Sequence, residues 1–236
     1  MNREFIIAID GPSGAGKSTL SKLLAEALGY IHLDTGAMYR TVALAASRAG
    51  IEPSDGAALE RLCRAISIDF VRGEGGERVL LSGEDVTAAI RTPEVSLLTS
   101  RVSACPAVRE ALVRRQREMG SRGGVVLEGR DIGTVVFPDA EVKFFLLASA
   151  RERGKRRYEE LRAKGMDVDL EQTIAEVEAR DEADSSRQHA PLEQAADAVP
   201  IDSTELSIEE VLAEMLRVVG ERRRQAGFTE GLIKGG

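Results

Sequence analysis

A glycine-rich segment near the amino terminus has the pattern G-x-x-x-x-G-K-S and lies between segments with two different hydrophobic patterns. Its residues are Gly11, Pro12, Ser13, Gly14, Ala15, Gly16, Lys17 and Ser18. The continuous apolar run at residues 5–9 predicts a strand buried on both faces. After Lys17 the apolar residues recur at helical spacing as far as Gly29, which predicts a helix that ends there. This order of elements is typical of a phosphate-binding loop, the P-loop, in an α/β domain.

The chemistry of this loop suits a nucleoside triphosphate. Its glycines let backbone N–H groups turn towards phosphate oxygens, and the helix N-terminus behind it adds partial positive charge. We expect Lys17 to lie in a solvated loop and to reach the β- and γ-phosphates. The Ser18 hydroxyl is expected to bind Mg²⁺. ATP and Mg²⁺ are therefore the predicted ligands of this segment, and the alternative is a chance glycine-rich turn.

The rest of the chain alternates predicted strands with predicted helices. Further strands are expected at residues 30–33, 125–127, 142–147 and 198–201. Helices are expected at residues 36–49, 93–102, 106–119, 150–164, 170–183 and from a capping box at 207–210 to about 224. Period-two alternation between residues 66 and 81 predicts an antiparallel hairpin. We therefore predict a three-layer α/β/α core around a parallel five-stranded sheet, with an antiparallel β insertion.

Composition excludes several classes of protein. The net charge of −7 disfavours a general nucleic-acid binder, and the two cysteines have no spacing typical of a zinc site or disulfide framework. No apolar run approaches transmembrane length, so we predict a cytoplasmic protein without membrane or nucleic-acid partners. The only asparagine is Asn2, which excludes the N-K-x-D motif with which GTPases read guanine. A motor ATPase or a non-catalytic nucleotide sensor stays open on the loop alone.

Polar residues follow two further predicted strands. Residues 34–40 come after the second strand and include Arg40, while Glu128, Arg130 and Asp131 come after the third. Ligands of open α/β sheets gather at the carboxyl ends of strands, and Glu128 is placed to hold Mg²⁺ or its waters. The alternatives are a capped helix with a surface arginine and a solvated turn.

Two predicted helices carry arginines in groups. Arg180, Asp184 and Arg187 are spaced by four and then three residues, so they share a face if the helix continues through them, as either a ligand site or a salt-bridge stripe. A second group forms either a mobile lid over the triphosphate or a solvated basic face. Its members are Arg151, Arg153, Arg156 and Arg157.

These arginines favour a phosphate group as the acceptor of phosphoryl transfer. A hydroxyl acceptor usually needs a carboxylate to orient it or take its proton. A phosphate has a second pKa near 6, so it is ionised at neutral pH and instead needs positive charge to bring two anions together. Arg40, Arg130 and Arg187 suit that requirement.

Longer segments resemble the bacterial cytidylate kinases, within the nucleoside monophosphate kinase family. The matching segments are residues 11–18, 34–40, 90–95, 108–112, 129–140, 180–181 and 190–192, with Asp184 and Arg187. The resemblance covers about residues 5–216 and implies transfer from ATP to CMP or dCMP with Mg²⁺, by a monomer. It also implies a P-loop core at 1–34, 103–149 and 188–224, a monophosphate-binding insertion at 35–102 and a helical lid at 150–187. Residues 225–236 fall outside the family pattern and are predicted to form a flexible tail. Another P-loop monophosphate or small-metabolite kinase, or a non-catalytic regulator, is the alternative.

The resemblance also implies roles for individual residues. Cytosine is read by Ser100, Arg109 and Asp131, and the ribose is held by Arg180 and Asp184. Arg40, Arg130 and Arg187 hold the acceptor phosphate, beside Thr35, which stands where serine is common. The residues expected to act on the transferred group are Lys17, Arg130, Arg153, Arg157 and Arg187. Arg151 stands where an acidic residue is usual, so it receives no role.

Overall fold

The computed structural model describes residues 3–73, 76–163, 165–187 and 190–228. The strands are β1 Ile6–Asp10, β2 Ile31–Asp34, β3 Ile68–Gly73, β4 Gly76–Leu81, β5 Glu84–Asp85, β6 Val125–Glu128, β7 Val142–Leu147 and β8 Val199–Asp202. The α-helices are α1 Lys17–Leu28, α2 Thr35–Arg48, α3 Gly56–Ala65, α4 Pro93–Val102, α5 Pro106–Gly120, α6 Ala150–Ala163, α7 Leu170–Ser185 and α8 Ile208–Gln225. A 3₁₀ turn at Ala89–Arg91 and a π-helical turn at Ile132–Val136 complete the regular structure of the described residues.

The chain divides into two compact units. The first comprises the described residues up to His32 and from Arg122 onward, and the second is Leu33–Ser121. Helix α5 therefore belongs to the second unit, although residues 103–149 were predicted to lie in the core. The division into core, insertion and lid stays a prediction. Among the described residues, no helix is both long and apolar enough to span a membrane.

A five-stranded parallel sheet with the order β2-β6-β1-β7-β8 organises the first unit, as predicted. Its central strand β1 is an uninterrupted apolar run, and Ile7 and Ile9 are fully buried. Residues of α1 and α8, among them Leu24 and Met215, join the sheet in one hydrophobic core. The register pairs Ile9 of β1 with Glu128 of β6, so the carboxyl ends of these two strands lie side by side.

The predicted tail, 225–236, begins at the last residue of α8 and is described as far as Phe228, and its flexibility stays a prediction. The capping box of Ser207 and Glu210 is present, and the helix extends to Gln225. The Phe228 ring then packs edge-on against Phe5, 5.2 Å between centroids. The Arg223 guanidinium lies over the same ring at 4.9 Å. These contacts anchor the chain as far as Phe228, and the remainder of the predicted tail, 229–236, lies outside the described residues.

The second unit contains the predicted hairpin and two elements that were not predicted. β3 pairs with β4 in antiparallel register, for example Phe70 opposite Val79. The tip of the hairpin, 74–75, lies outside the described residues. The short strand β5 extends this sheet, and helix α3 contributes buried Leu59 to a separate core with Leu112 of α5.

Candidate active site

The glycine-rich loop runs from the end of β1 to the start of α1, as predicted. Gly11 has a positive φ of 144°, and a Cβ atom there would lie 2.1 Å from the Leu146 carbonyl oxygen. No side chain fits at this position, so the loop follows the sheet edge closely only because residue 11 is glycine. Gly16 has a left-handed conformation and begins α1, whose first residue is Lys17.

Lys17 is buried, which corrects the prediction that it lies in a solvated loop. Its side chain turns back so that Nζ donates to the Pro12 carbonyl oxygen at 2.6 Å, and the residue is only 6% exposed. Burial lowers the pKa of Lys17 well below its ordinary value, and the Arg130 charge lowers it further. Glu128 and Asp10 oppose that shift. The charged form of Lys17 is therefore disfavoured at this position in the ligand-free structure.

Four side chains form a hydrogen-bonded network behind the loop. The Ser18 hydroxyl donates to Glu128 Oε2 at 2.8 Å. His32 Nε2 lies 3.2 Å from Glu128 Oε1 and 3.0 Å from Ser21 Oγ. The structure thus brings the two predicted metal ligands together and adds a histidine that sequence reasoning missed. The one signal for His32 was its position in the predicted strand that leads to residues 34–40.

Asp10, at the end of β1, holds the turn that follows β6. Its carboxylate accepts hydrogen bonds from the backbone N–H groups of Ile132 at 2.8 Å and Gly133 at 2.7 Å. Burial raises its pKa from 3.8 to about 6, although these two hydrogen bonds act in the opposite direction. The nearby charge of buried Asp131 also raises it. Asp10 therefore holds the start of the π-helical turn Ile132–Val136, which Asp131 immediately precedes.

Asp184 is surrounded by arginines. It is 2% exposed and accepts hydrogen bonds from Arg130 Nε at 2.8 Å and from Arg187 Nη2. Burial by itself would raise the pKa of Asp184, but the charges of Arg130, Arg187 and Arg180 outweigh it and lower the pKa. Asp184, near the end of α7, thus meets Arg130, which lies after β6, whereas Arg187 lies beyond the end of the helix at Ser185. The salt-bridge alternative is present in part, since Asp184 and Arg187 are one turn apart.

The arginines of α6 differ in their surroundings. Arg153 is 4% exposed and donates to the Ser13 carbonyl oxygen of the loop at 3.0 Å and to the Ala148 carbonyl oxygen at 2.8 Å. Its guanidinium also forms two hydrogen bonds with the Asp181 carboxylate, at 3.0 and 2.5 Å. Arg157 is partly exposed and pairs with Glu160 at 2.9 Å. Of the two predicted lid arginines, Arg153 is the one with a described contact to the glycine-rich loop.

The remaining predicted residues lie in the second unit. Asp34 caps α2 by accepting from the Ala37 N–H at 2.8 Å, and it also accepts from Arg40 Nη2 at 2.8 Å. The guanidinium of buried Arg109 lies 5.8 Å from the ring centroid of Tyr39. The other two predicted residues are Thr35, which is buried at the start of α2, and Ser100, which is partly buried in α4. Their roles towards a ligand stay predictions.

The comparisons with known proteins settle the family. The model of a family described as cytidylate kinase matches residues 7–221. The chain belongs to the cytidylate kinase family.

Curated relatives in this cytidylate kinase family match along almost the whole chain. The cytidylate kinase of Syntrophotalea carbinolica is 68% identical over 224 residues, 95% of each chain. That of Bacillus velezensis is 49% identical and is aligned over 95% of this chain and 100% of its own. Among solved structures, shikimate kinase from Acinetobacter baumannii aligns with 93% of this chain and 95% of its own, at 16% identity and a TM-score of 0.45. The family model and the curated relatives confirm the resemblance found in the sequence.

Proposed function

We propose that this chain is a kinase that transfers the γ-phosphoryl group of ATP to CMP or dCMP, which gives ADP and CDP or dCDP. The observation that carries the proposal is membership of the cytidylate kinase family over residues 7–221. The buried cationic glycine-rich loop and the arginines around Asp184 support it, because the reaction brings two anionic ligands together. Catalysis then rests on positioning and charge neutralisation, without a general base for the acceptor.

The donor nucleotide binds at the glycine-rich loop, residues 11–18. Its phosphate oxygens accept hydrogen bonds from the backbone N–H groups, and its negative charge relieves the unfavourable burial of Lys17. Arg153 supports the loop through Ser13 and engages the triphosphate, together with Arg157. Movement of α6 and α7 as a lid over the bound triphosphate excludes water from the reaction.

Mg²⁺ fits the oxygen ligands that the first unit provides. Ser18 and Glu128 offer a hydroxyl and a carboxylate within 2.8 Å of each other, and Mg²⁺ prefers oxygen ligands. The described part of the chain has no group of three or more acidic, histidine or cysteine side chains suited to a metal. Ser18 and Glu128 are the side chains that would hold Mg²⁺ beside the phosphates of bound ATP. When bound, the ion neutralises charge on the β- and γ-phosphates. Ser18 holds the ion, and Glu128 holds it directly or through a water molecule.

The acceptor nucleotide is bound by the residues that the resemblance assigned to it. Arg40, Arg130 and Arg187 bind its phosphate, near Thr35. Asp184 accepts hydrogen bonds from the ribose hydroxyls, with Arg180 beside it. Asp131, Arg109 and Ser100 recognise cytosine. The monomeric state, the cytoplasmic location and the lack of nucleic-acid or membrane partners stay predictions from the sequence.

The test is an acceptor panel with ATP and Mg²⁺ in excess. CMP, dCMP, UMP and AMP are supplied in turn and ADP production is measured. We expect the highest kcat/KM with CMP or dCMP. A higher value with UMP or AMP would indicate another monophosphate kinase, and ATP binding without ADP production would indicate a non-catalytic regulator.

A further inference from the structure

His32 occupies a position in the first unit that the proposed reaction does not yet explain. It lies in β2, and its side chain is only 9% exposed. Its Nε2 atom is directed at Glu128, whose side chain is 5% exposed, and at Ser21 of the first turns of α1. We infer that His32 is a positioning residue that holds Glu128 against Ser18 and thereby sets the affinity of the enzyme for magnesium-bound ATP. This inference rests on the proposed function.

The hydrogen-bonding groups determine where the histidine proton lies. A carboxylate oxygen only accepts, so a hydrogen bond to Glu128 Oε1 requires the proton on His32 Nε2. The Ser21 hydroxyl donates to the Ser18 carbonyl oxygen at 3.3 Å, so its oxygen accepts from the same N–H at 3.0 Å. Every donor of this network thus faces an acceptor, with the Nε2 proton shared between two oxygens.

The network fixes both oxygens of Glu128. Oε2 accepts from Ser18 and Oε1 accepts from His32, so the carboxylate cannot rotate without breaking one of the two bonds. A histidine or carboxylate that orients a metal ligand from behind typically changes metal affinity by 10–100-fold when it is removed. Without His32, the buried Oε1 atom of Glu128 would lose this hydrogen bond, and the Ser18–Glu128 geometry would loosen.

A purely structural role for His32 makes a different prediction. A buried histidine that only fills space would affect folding stability, and any loss of ATP affinity would be the same with and without Mg²⁺. A positioning role acts through the ion, so the loss appears only when Mg²⁺ is present. The discriminating quantity is therefore the ratio of the ATP dissociation constants measured with excess Mg²⁺ and with EDTA.

The experiment compares three variants of the full chain by calorimetric ATP binding without CMP. His32→Leu removes the hydrogen bond, His32→Gln places an amide donor at a reach similar to that of Nε2, and His32→Asn is polar but too short. We expect His32→Leu and His32→Asn to weaken binding about tenfold in Mg²⁺ and less than about twofold in EDTA. His32→Gln is expected to stay within about threefold of the parent protein in both conditions. Tyr30→Phe, which removes a hydrogen bond to Glu4, is the matched control.

Two results would overturn the inference. One is an equal weakening in Mg²⁺ and in EDTA, and the other is unchanged affinity for His32→Leu in both. Thermal unfolding without ligand identifies any general loss of structure. The comparison of His32→Gln with His32→Asn then separates a positioning role from a simple loss of polarity, because both side chains are amides but asparagine is too short. Failure of the proposed function would instead appear as absent CMP phosphorylation by the unmodified protein, so the two failures are distinguishable.

Discussion

Lys17 carries its positive charge in surroundings that disfavour it before any ligand is bound. Burial and the Arg130 charge lower its pKa, and the carboxylates of Glu128 and Asp10 compensate only in part. A triphosphate would bring several negative charges to the same place, so the unfavourable charge becomes favourable on binding. Strongly shifted groups of this kind are typical of functional sites.

Replacing Lys17 by methionine tests this interpretation. Lys17→Met keeps much of the side-chain volume but removes the charge, so the developing charge on the transferred phosphoryl group is no longer neutralised. We expect kcat to fall below about a tenth of the parent value. The ligand-free variant should unfold at the same or a higher temperature, because a disfavoured buried charge is gone. A lower unfolding temperature would mean that the charge stabilises the fold.

Asp10 predicts a particular dependence of stability on pH. Its pKa is about 6 in the folded protein, above its ordinary value of 3.8, so the folded state binds the additional proton between about pH 4 and 6. Stabilisation from the protonated carboxyl is present below that range and is lost as the pH rises through 6. Relative to Asp10→Asn, the free energy of unfolding should therefore fall by about 2–3 kcal/mol between pH 4 and pH 7. Urea unfolding of both proteins across this pH range measures the difference. If the free energies of unfolding of the two proteins change in parallel with pH, the prediction is wrong.

Asp131 tests whether cytosine is the base that this chain recognises. Cytosine has an amino donor at N4, whereas uracil has an acceptor at O4. An ionised carboxylate only accepts, so it favours cytosine. We expect Asp131→Ala to lower the CMP-to-UMP ratio of kcat/KM by at least about tenfold, mainly by lowering kcat/KM for CMP. If Asp131 only braces the turn beside Arg130, both activities will fall together and the ratio will not change.

The residues of the glycine-rich loop could be predicted because their spacing determines the backbone conformation that phosphates need. Arg130 and Asp184 were also predicted as site residues. Arg130 follows a predicted strand, and Asp184 has helical spacing to Arg180. The roles of His32, Asp10 and Asp181 could not be predicted. Each depends on a distance between elements far apart in the sequence, such as the 3.2 Å between His32 and Glu128.

A partly buried ion pair and a close backbone approach both connect helices α6 and α7. Arg153 pairs with Asp181 through two hydrogen bonds and also contacts the loop at Ser13. At Gly154, a Cβ atom would lie 2.4 Å from Ile174 Cγ1, so α7 packs directly on the backbone of α6. The Arg153–Asp181 ion pair therefore connects α7, which carries Arg180 and Asp184, to α6, which contacts the glycine-rich loop.

Removing Asp181 should affect both stability and donor binding. Asp181→Ala leaves the buried Arg153 guanidinium without its carboxylate, so the free energy of unfolding should fall by at least about 1 kcal/mol. The KM for ATP should rise more than the KM for CMP, because Arg153 contacts the donor loop. Glu160→Ala removes the carboxylate that pairs with the partly exposed Arg157 and is the matched control, with an expected change below about 0.5 kcal/mol. Equal changes in the free energy of unfolding for Asp181→Ala and Glu160→Ala would contradict this prediction.

Elements with strong local signals were predicted closely. Helix α4 begins at Pro93 and ends at Val102 as expected, and the hairpin follows from its alternating residues. Helix α3 was missed because it buries only Leu59 and Cys63, too few for a clear pattern. The π-helical turn was missed for another reason, since it is held by Asp10 from a different strand.

At the scale of the whole molecule, the predicted fold class is confirmed, while the boundaries between functional parts stay predictions. Alternating strands and helices predicted the parallel sheet, because a helical crossover returns the chain to the same end of the sheet and so makes the next strand run in the same direction. The assignment of α5 to the second unit could not be predicted, since an amphipathic helix does not specify which core covers its apolar face.

Limited proteolysis tests the lid prediction. If residues 150–184 close over bound nucleotides, an ATP analogue and CMP together should slow cleavage there at least about threefold more than either ligand alone. Cleavage sites in the second unit serve as the internal reference. Equal cleavage with and without both ligands would remove the lid from the proposed mechanism.

The central position of β1 has a consequence for how the chain folds as it leaves the ribosome. β1 ends at Asp10, but its two neighbours in the sheet begin only at Val125 and Val142. At typical synthesis rates of roughly 5–20 residues per second, this largely apolar strand stays without its neighbours for about 6–26 s. The second unit is one continuous stretch, Leu33–Ser121, so all of its residues emerge before β6 is made. β1 is therefore made long before the strands that pair with it, and until then its apolar residues are available in the nascent chain for contacts with other molecules.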